Sequence, residues 1–218
     1  MEFDFYSPVE LVFGRPVGKA LPVVLAGIGV ERILLLSDAG LDAIGLVGQI
    51  AGSLSAEGWQ VSTFAQVQSN PTVGDVEAAL ALAREVDVQA LVALGGGSVI
   101  DVGKAVGLLV TNGGRFADYQ WQGRPITRPI LPLVAVPTTA GTGSEVTKVT
   151  VIEDKETRFK KGVLSPHLFA RAAVLDPALT VSLPAHLTAA TGVDAFGHAL
   201  EAFVGRRASP ITDALALD

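Results

Sequence analysis

The sequence predicts an α/β fold, with a largely parallel sheet flanked by helices and followed by a helical segment. Three observations lead to this prediction. Apolar runs typical of buried strands alternate with segments whose apolar residues recur at helical spacing. Of the 218 residues, 49% are hydrophobic and 17% are charged, as expected for a chain with a large core. From Leu183 onward the pattern is helical, with no further strand-like run.

Charge and composition exclude several classes of partner. The formal net charge is -6 and no basic run is present, which argues against a nucleic-acid ligand. The chain has no cysteine, so disulfides are excluded. The first residues, "MEFDFYSPVE", do not resemble a signal peptide, and no apolar run approaches the roughly 20 residues that span a bilayer. We therefore expect a cytoplasmic protein with no membrane partner.

The first half of the chain predicts three strands, each followed by a helix. The strands are apolar and rich in β-formers: "ERILLLSD" (31–38), "WQVSTFA" (59–65) and "ALVALGGGS" (90–98). The helices carry apolar residues at helical spacing, and Asn-Pro opens the second of them: 41–58, 70–86 and 99–110. This alternation of strands and helices is the reason for predicting a largely parallel sheet.

The second half predicts a loop, two more strands and a hairpin. Residues 111–129 have no period and are rich in turn formers, so they are predicted to form a loop. Buried strands are expected at 130–139 and 172–177, where Pro177 stops the second one. Residues 146–164 alternate around a charged turn, which favours a β-hairpin.

We place a domain boundary after the last strand, giving an α/β domain over 1–178 and the beginning of a helical domain over 179–218. Ser209 can cap the last helix and Pro210 suits its first position. No stop signal follows before Asp218. We therefore expect the helical domain to be incomplete; a naturally short terminal helix is the alternative.

Three glycines follow the third strand, in "LVALGGGSVID" (91–101). Gly96, Gly97 and Ser98 could offer backbone amides to a phosphate at the start of a helix, where the helix dipole adds positive charge. Ser98 and Asp101 also fit a capping box, which is the interpretation we favour for Asp101. The motif is not G-x-G-x-x-G, and a glycine triplet alone is a weak signal.

Asp38 ends the first predicted strand (31–38), so it comes before the glycine loop in the chain. A carboxylate there can accept hydrogen bonds from a ribose and repel a 2′-phosphate, which favours NAD over NADP. Because the acid precedes the glycine loop in the chain, we expect a winding different from the usual dinucleotide fold. N-capping of the next helix is an equally good interpretation of Asp38.

Two further segments carry candidate polar sites. "PTTAGTGSEVT" (137–147) supplies hydroxyls and free amides after a buried strand, where ligands of open α/β sheets bind. In "TGVDAFGHALEAF" (191–203), Asp194 and His198 are four residues apart and share one helix face. This pair can begin a metal site but cannot complete one; a polar helix face without metal is the alternative.

Taken together, these motifs resemble the iron-containing, metal-dependent alcohol dehydrogenase family over nearly the whole chain. The matching stretches occur in the family's order: "SDAG" (37–40), "NPT" (70–72), "GGGSVIDVGKA" (95–105), "PTTAGTGSEVT" (137–147), "DPALTVSLP" (176–184) and "TGVDAFGHALEAF" (191–203). The resemblance implies a nucleotide-binding α/β domain followed by an all-helical metal-binding domain, with the active site between them.

The resemblance also implies roles for individual residues. Asp38 corresponds to the adenine-ribose contact, Gly96, Gly97 and Ser98 to the pyrophosphate loop, and Asn70 and Lys160 to positions beside the cofactor. Thr138, Thr139, Thr142 and Thr147 correspond to further nucleotide contacts. Asp194 and His198 match the first two metal ligands, and Lys161 is expected to be only solvated. No residue of the chain is assigned a catalytic role.

The activity implied is metal-assisted hydride transfer between a primary alcohol or aldehyde and NAD, in a homo-oligomer, expected to be a dimer. The metal would be Fe²⁺ in the first instance, with Zn²⁺ as the alternative. Within the same fold, a glycerol dehydrogenase or dehydroquinate synthase is the alternative, although "TTAGTGSEVT" favours the alcohol dehydrogenases. The family's two further histidine ligands have no counterpart after His198. We therefore expect the chain alone to be inactive, and a non-catalytic nucleotide-binding module is the remaining hypothesis.

Overall fold

The computed structural model describes residues 2–155 and 159–218 and confirms the α/β class. In chain order the strands are β1 Glu10–Phe13, β2 Arg32–Leu36, β3 Gln60–Phe64, β4 Ala90–Gly95, β5 Leu133–Pro137, β6 Val149–Asp154, β7 Phe159–Leu164 and β8 Ala172–Leu175. In the described part of the chain, six of them form one sheet in the order β1-β8-β5-β4-β2-β3. All of its neighbouring strands are parallel, as predicted.

Helices cover both faces of this sheet. In chain order they are α1 Val17–Ile28, α2 Ala39–Ala43, α3 Leu46–Ala56, α4 Val73–Glu85, α5 Gly97–Asn112, α6 Phe116–Trp121, α7 Ala185–Val204 and α8 Pro210–Leu217. Leu34 and Leu36 of β2 lie in one core cluster with residues of α4 and α5. Ile33 and Leu35 lie in a second cluster with residues of α1 and α3. Because both faces are buried, the central strands β2, β4 and β5 are continuous apolar runs rather than alternating ones.

The winding of the sheet opens a gap between two loops. From β2 the chain moves outward to β3, then returns past β2 to β4 and continues away from it to β5 and β8. The loops that follow β2 and β4 therefore leave the sheet in opposite directions. A ligand crevice is expected at such a switch point, outside the carboxyl ends of the strands. This order also explains why the acid after β2 precedes the glycine loop after β4 in the chain.

Two predicted helix boundaries are wrong. The helix predicted over 41–58 is two helices, α2 and α3, because Gly45 adopts a left-handed conformation with φ of 79° between them. The helix predicted to open at Asn70 begins at Val73 instead. Its first turn is fixed by Asp75, whose Oδ2 accepts a hydrogen bond from the Thr72 amide at 2.8 Å.

Three elements were not predicted from the sequence. The loop expected over 111–129 contains α6, whose first turn is tied by a hydrogen bond from the Arg115 amide to Asp118 at 2.9 Å. Near the N terminus, β1 is a four-residue edge strand and α1 contains Pro22. A proline removes a helix donor and normally argues against a helix interior, which hides α1 from pattern analysis.

The predicted hairpin is confirmed as an antiparallel pair outside the main sheet. β6 and β7 pair from Val149 opposite Leu164 to Asp154 opposite Phe159. Residues 156–158 of its charged turn lie outside the described residues. The hairpin is an insertion between β5 and β8, so its position depends on contacts with other elements rather than on the sheet.

The C-terminal segment is helical, as predicted. The hydroxyl of Ser209 accepts a hydrogen bond from the Thr212 amide at 3.3 Å, and Pro210 occupies the first turn of α8. The described residues of α7 and α8 include none that is buried. A 3₁₀ turn at Pro177–Thr180 separates these helices from the sheet, and a domain boundary there stays a prediction. No helix among the described residues is long and apolar enough to cross a bilayer.

Candidate functional site

A cleft of about 840 Å³ opens at the carboxyl ends of β2, β4 and β5. Its walls come from the loops after these three strands, from the loop after β3 and from the segment that enters α7. Five predicted cofactor contacts line it: Asp38, Gly96, Ser98, Thr138 and Thr139. Residues up to 101 positions apart in the chain thus meet at the switch point of the sheet, where a nucleotide is expected to bind.

The glycine loop leaves no room for side chains. A Cβ atom on Gly95 would lie 2.5 Å from Val99 Cγ2, and one on Gly97 would lie 2.7 Å from Thr142 Oγ1. Gly96 is the N-cap residue of α5 and uses no side chain to cap it. The amides of the first turn of this 16-residue helix, with its partial positive charge, therefore lie beside the cleft and suit an anion.

The capping role favoured for Asp101 is wrong, and so is the alternative in which Ser98 caps α5. α5 begins at Gly97, so Ser98 already lies in its first turn and cannot be its cap. The hydroxyl of Ser98 donates instead to the Ser69 carbonyl at 2.6 Å. The Asp101 Oδ2 atom accepts a hydrogen bond from the Val151 amide at 3.0 Å. Both side chains connect α5 to neighbouring segments rather than to its own amides.

Asp38 caps the next helix, as one of its two interpretations expects, and the ribose contact stays a prediction. Its Oδ1 accepts a hydrogen bond from the Leu41 amide at 3.0 Å and caps α2. The same carboxylate lines the cleft beside Gly40, where a Cβ atom would lie 3.0 Å from Oδ1. Within the described residues Oδ2 takes no hydrogen bond, so this oxygen can accept one from a ligand while Oδ1 serves as the cap.

The threonines after β5 fall into two groups. Thr138 is buried and Thr139 half-buried, and both line the cleft. Thr142 contacts the glycine loop, because its hydroxyl fills the space that a Cβ on Gly97 would need. Thr147 accepts a hydrogen bond from Lys104 through its hydroxyl at 3.1 Å. The second pair lies behind the cleft wall in the described structure.

Asn70 and Lys160, 90 residues apart, are in direct contact. The Lys160 Nζ atom donates to Asn70 Oδ1 at 2.6 Å, and both residues are exposed. Asn70 directly follows Ser69, which lines the cleft. The structure therefore places the hairpin lysine against Asn70, one residue from the lining of the cleft, and its contact with a cofactor stays a prediction.

Lys104 is a buried charged residue that sequence reasoning overlooked. Lys104 has no exposed surface, and it lies on α5 one turn after Asp101. Burial lowers the pKa of Lys104 to about 8, against the charges of Asp101 and Glu145. Burial raises the pKa of Asp101 to about 6, against the Val151 amide and the Lys104 charge. A lone lysine within the apolar run "VIDVGKAVGLLV" is the signal that could have identified it.

The predicted metal pair lies on one face of α7, and both Asp194 and His198 are exposed. His198 Nδ1 lies 3.2 Å from the carbonyl oxygen of Gly141. A carbonyl can only accept, so this hydrogen bond requires a proton on Nδ1, and the tautomer with that proton leaves the Nε2 lone pair for a metal. Gly141 also packs closely on α7, because a Cβ atom there would lie 2.6 Å from the Thr191 carbonyl oxygen.

This donor pair fits a divalent metal but does not complete its site. Among the described residues, no three His, Cys, Asp or Glu side chains group closely enough to hold an ion. A carboxylate and an imidazole nitrogen are ligands that Fe²⁺ and Zn²⁺ both accept. The described chain thus offers two of about four ligands expected for such a site.

Two family profiles match the chain. Residues 8–177 match the family described as "Iron-containing alcohol dehydrogenase". Residues 188–218 match "Fe-containing alcohol dehydrogenase family, C-terminal". The junction between the two matches falls close to the 3₁₀ turn that precedes α7.

Individual proteins match almost the whole chain. The NAD-dependent methanol dehydrogenase of Bacillus methanolicus is 39% identical over 98% of this chain and 56% of its own length. The choline dehydrogenase of Bacillus subtilis is 42% identical over 98% and 54%. Among solved structures, a 1,3-propanediol oxidoreductase superposes with a TM-score of 0.93 and 37% identity, over 100% of this chain and 56% of its own. The chain thus spans about half the length of the relatives it matches.

Proposed function

The chain belongs to the iron-containing alcohol dehydrogenase family, and we propose that it provides the NAD(H)-binding part and two metal ligands of an alcohol oxidoreductase. The whole protein would transfer a hydride between a primary alcohol or aldehyde and the nicotinamide. The observation that carries this proposal is the cleft in which Asp38, the glycine loop and Thr138 meet at the switch point of the sheet. The names of the relatives support alcohol and aldehyde substrates over the glycerol dehydrogenase and dehydroquinate synthase alternatives.

In the proposed complex the pyrophosphate lies against Gly96, Gly97 and Ser98. Their amides and the dipole of α5 stabilise its negative charge. Asp38 accepts a ribose hydroxyl through Oδ2 and repels a 2′-phosphate, so NAD(H) is preferred over NADP(H). The proposed set of cofactor contacts also includes Thr138 and Thr139, which line the cleft, Asn70 and Lys160, which lie beside its lining, and Thr142 and Thr147 behind its wall.

Asp194 and His198 are the proposed metal ligands of the chain. A bound divalent metal would act as a Lewis acid that polarises the substrate oxygen and eases loss of the alcohol proton. The Gly141 carbonyl orients His198 for this role by holding the proton on Nδ1. We propose Fe²⁺ as the metal, with Zn²⁺ as the alternative, and a dimeric, cytoplasmic enzyme. Because two ligands leave a metal mostly hydrated, we propose that residues 1–218 alone are inactive.

The test is a calorimetric titration of the 218-residue chain with NADH, using a matched pair of glycine variants. Gly97→Ala places a Cβ against Thr142, whereas Gly52→Ala on α3 points into open space. We expect NADH to bind the parent chain, and Gly97→Ala to weaken binding by at least about tenfold, since the loop must shift. Gly52→Ala should bind like the parent. A parent chain that does not bind NADH would refute the cofactor assignment.

A second titration addresses the metal. The chain is titrated with Fe²⁺ or Zn²⁺ under anaerobic conditions, and NADH formation from simple primary alcohols is followed. We expect weak metal binding and negligible turnover. Tight one-to-one binding with clear turnover would show that other residues of this chain complete the site.

A further inference from the structure

The hairpin β6–β7 carries Lys160 but does not belong to the main sheet. An isolated two-stranded hairpin is marginally stable in water, so its position must be fixed by other elements. Lys160 reaches Asn70 only if the hairpin stays where it is. The residues that hold the hairpin therefore decide where the lysine ammonium lies.

Lys104 attaches α5 to the first strand of the hairpin and the residues just before it. Its ammonium donates to the Thr147 carbonyl at 2.7 Å, the Thr147 hydroxyl at 3.1 Å and the Val149 carbonyl at 2.8 Å. An ammonium has three donors, and all three are used here. Asp101, one turn earlier, accepts from the Val151 amide, and its carbonyl accepts from the Thr150 hydroxyl at 2.8 Å. The helix that begins with the glycine loop is thus joined to the hairpin by five hydrogen bonds.

Gln120 holds the other side of the hairpin from α6. Its Nε2 atom donates to the Ile152 carbonyl at 2.8 Å and to the Lys161 carbonyl at 2.9 Å. Ile152 and Lys161 are cross-strand partners, so this one amide binds both strands at the same level. Gln120 is only 2% exposed, and its second acceptor is the residue next to Lys160.

We propose that Lys104 and Gln120 are positioning residues for the cofactor site, acting through the hairpin to hold Lys160 at the rim of the cleft. The proposal rests on the proposed function, because it assumes that Lys160 contacts a bound dinucleotide. Neither of these two buried side chains lines the cleft. The proposal is that both nevertheless affect the affinity for the cofactor. A purely structural role would instead lower stability and leave the affinity of the folded protein unchanged.

The first part of the test uses Lys104→Met and Gln120→Leu, which remove the donors and keep the approximate side-chain volume. Lys148→Met and Gln122→Leu make the same changes at exposed positions nearby and serve as matched controls. NADH affinity is measured by calorimetry at a temperature where each variant is folded. We expect about tenfold weaker binding for the two buried variants, the effect of losing bonds that order a charged contact, and no change for the controls.

The second part repeats both substitutions in a Lys160→Ala background. If Lys104 and Gln120 act through Lys160, each should weaken NADH binding by less than about twofold once that lysine is absent. If either substitution weakened NADH binding as much in the Lys160→Ala background as in the parent chain, the proposal would be overturned. Normal NADH affinity in both single variants would overturn it as well. If Lys104→Met does not fold, Gln120→Leu carries the same comparison, since it removes two bonds and no charge.

The outcome also separates this proposal from the cofactor assignment itself. Hydrogen exchange of the hairpin amides, measured without NADH, should be faster in both buried variants than in the controls. Failure of the parent chain to bind NADH would remove the proposed function and this inference with it. NADH binding by the parent, combined with faster exchange but unchanged affinity in the variants, would overturn the positioning role alone.

Discussion

The sheet region (residues 10–175) and the helical region (residues 185–217) differ in how their helices are covered. α5 in the sheet region has 16 residues, of which ten are buried. α7 in the helical region has 20 residues, none of them buried. Val193 and Phe196 of α7 are 71% and 66% exposed, although both are large apolar side chains. The same chain thus contains one region with a closed core and another with an uncovered apolar surface.

This difference predicts how the two candidate sites behave. The cleft is built mainly on loops held by the core of the sheet region, and of its lining residues Leu187 alone belongs to α7. The pair Asp194 and His198 lies on a helix whose apolar residues need a further surface to cover them. We therefore expect cofactor binding to be a property of the sheet region, and metal binding to be weak until α7 is packed.

The largest expected effect concerns pH and the buried carboxylate of Asp101 in the sheet region. Its pKa is about 6 in the folded chain, against an ordinary value of 3.8, so between these values the folded chain binds more protons than the unfolded chain. The stability contributed by this proton is therefore present at low pH and lost as pH rises through 6. Relative to Asp101→Asn, the free energy of unfolding should fall by at most about 3 kcal/mol between pH 4 and pH 7.

Urea unfolding of the parent and Asp101→Asn across this pH range measures that change. Lys104, which faces Asp101 on α5, keeps its proton throughout, because its pKa is about 8. Equal m-values for the two chains are the control that the same surface unfolds. A stability difference that does not vary with pH would show that the Asp101 carboxyl is solvated and that the sheet region is less closed than described.

The second prediction compares the same substitution in both regions. Val106 on α5 has no exposed surface, whereas Val193 on α7 is 71% exposed. Val106→Ala should lower the free energy of unfolding by about 2 kcal/mol, from lost burial and a cavity. Val193→Ala should change it by less than about 0.5 kcal/mol. Similar losses in the two variants, again by urea unfolding, would mean that α7 is covered in solution.

The sequence was sufficient to predict the elements whose patterning agrees with their environment. β2 and β4 are buried on both faces, so their apolar runs alone identify them. α1 was missed because Pro22 contradicts a helix locally, and packing against the sheet outweighs that preference. The break at Gly45 was missed because the apolar spacing continues across it while the backbone does not.

Residues of the candidate site also divide into those that local sequence can predict and those that it cannot. Asp38 and the glycine loop could be proposed as cofactor contacts because their residue types and local positions alone suggest nucleotide binding. The contacts of Lys104 with Thr147 and of Gln120 with Lys161 join residues 41 to 43 positions apart. Such contacts depend on where the hairpin folds back, and no local pattern encodes that. The capping box at Ser98 failed for a related reason, since a distant carbonyl at Ser69 binds its hydroxyl instead.

The third prediction tests whether Asp38 makes the cleft prefer a ribose that carries no 2′-phosphate. Asp38→Gly removes the carboxylate that would repel a 2′-phosphate, so the preference for NADH over NADPH should fall by about tenfold. Glycine is itself tolerated as a helix cap, so stability should fall by only a few tenths of a kcal/mol, roughly. Asp42→Gly in α2 removes the same charge from an exposed position and is the control for a general electrostatic effect. Equal affinity of the parent chain for both cofactors would contradict the assignment.

The smallest expected effect is the influence of the metal pair on the cleft. Asp194→Ala and His198→Ala should each weaken Zn²⁺ binding while changing NADH affinity by less than about twofold, because distant and independent sites contribute additively. His198 provides the sharper test, since its Nδ1 atom contacts the Gly141 carbonyl in the threonine loop. Asp194 makes no such contact in the described chain and serves as the matched comparison. If His198→Ala alone weakened NADH binding, the two regions would be coupled through Gly141, and the cleft would depend on α7 after all.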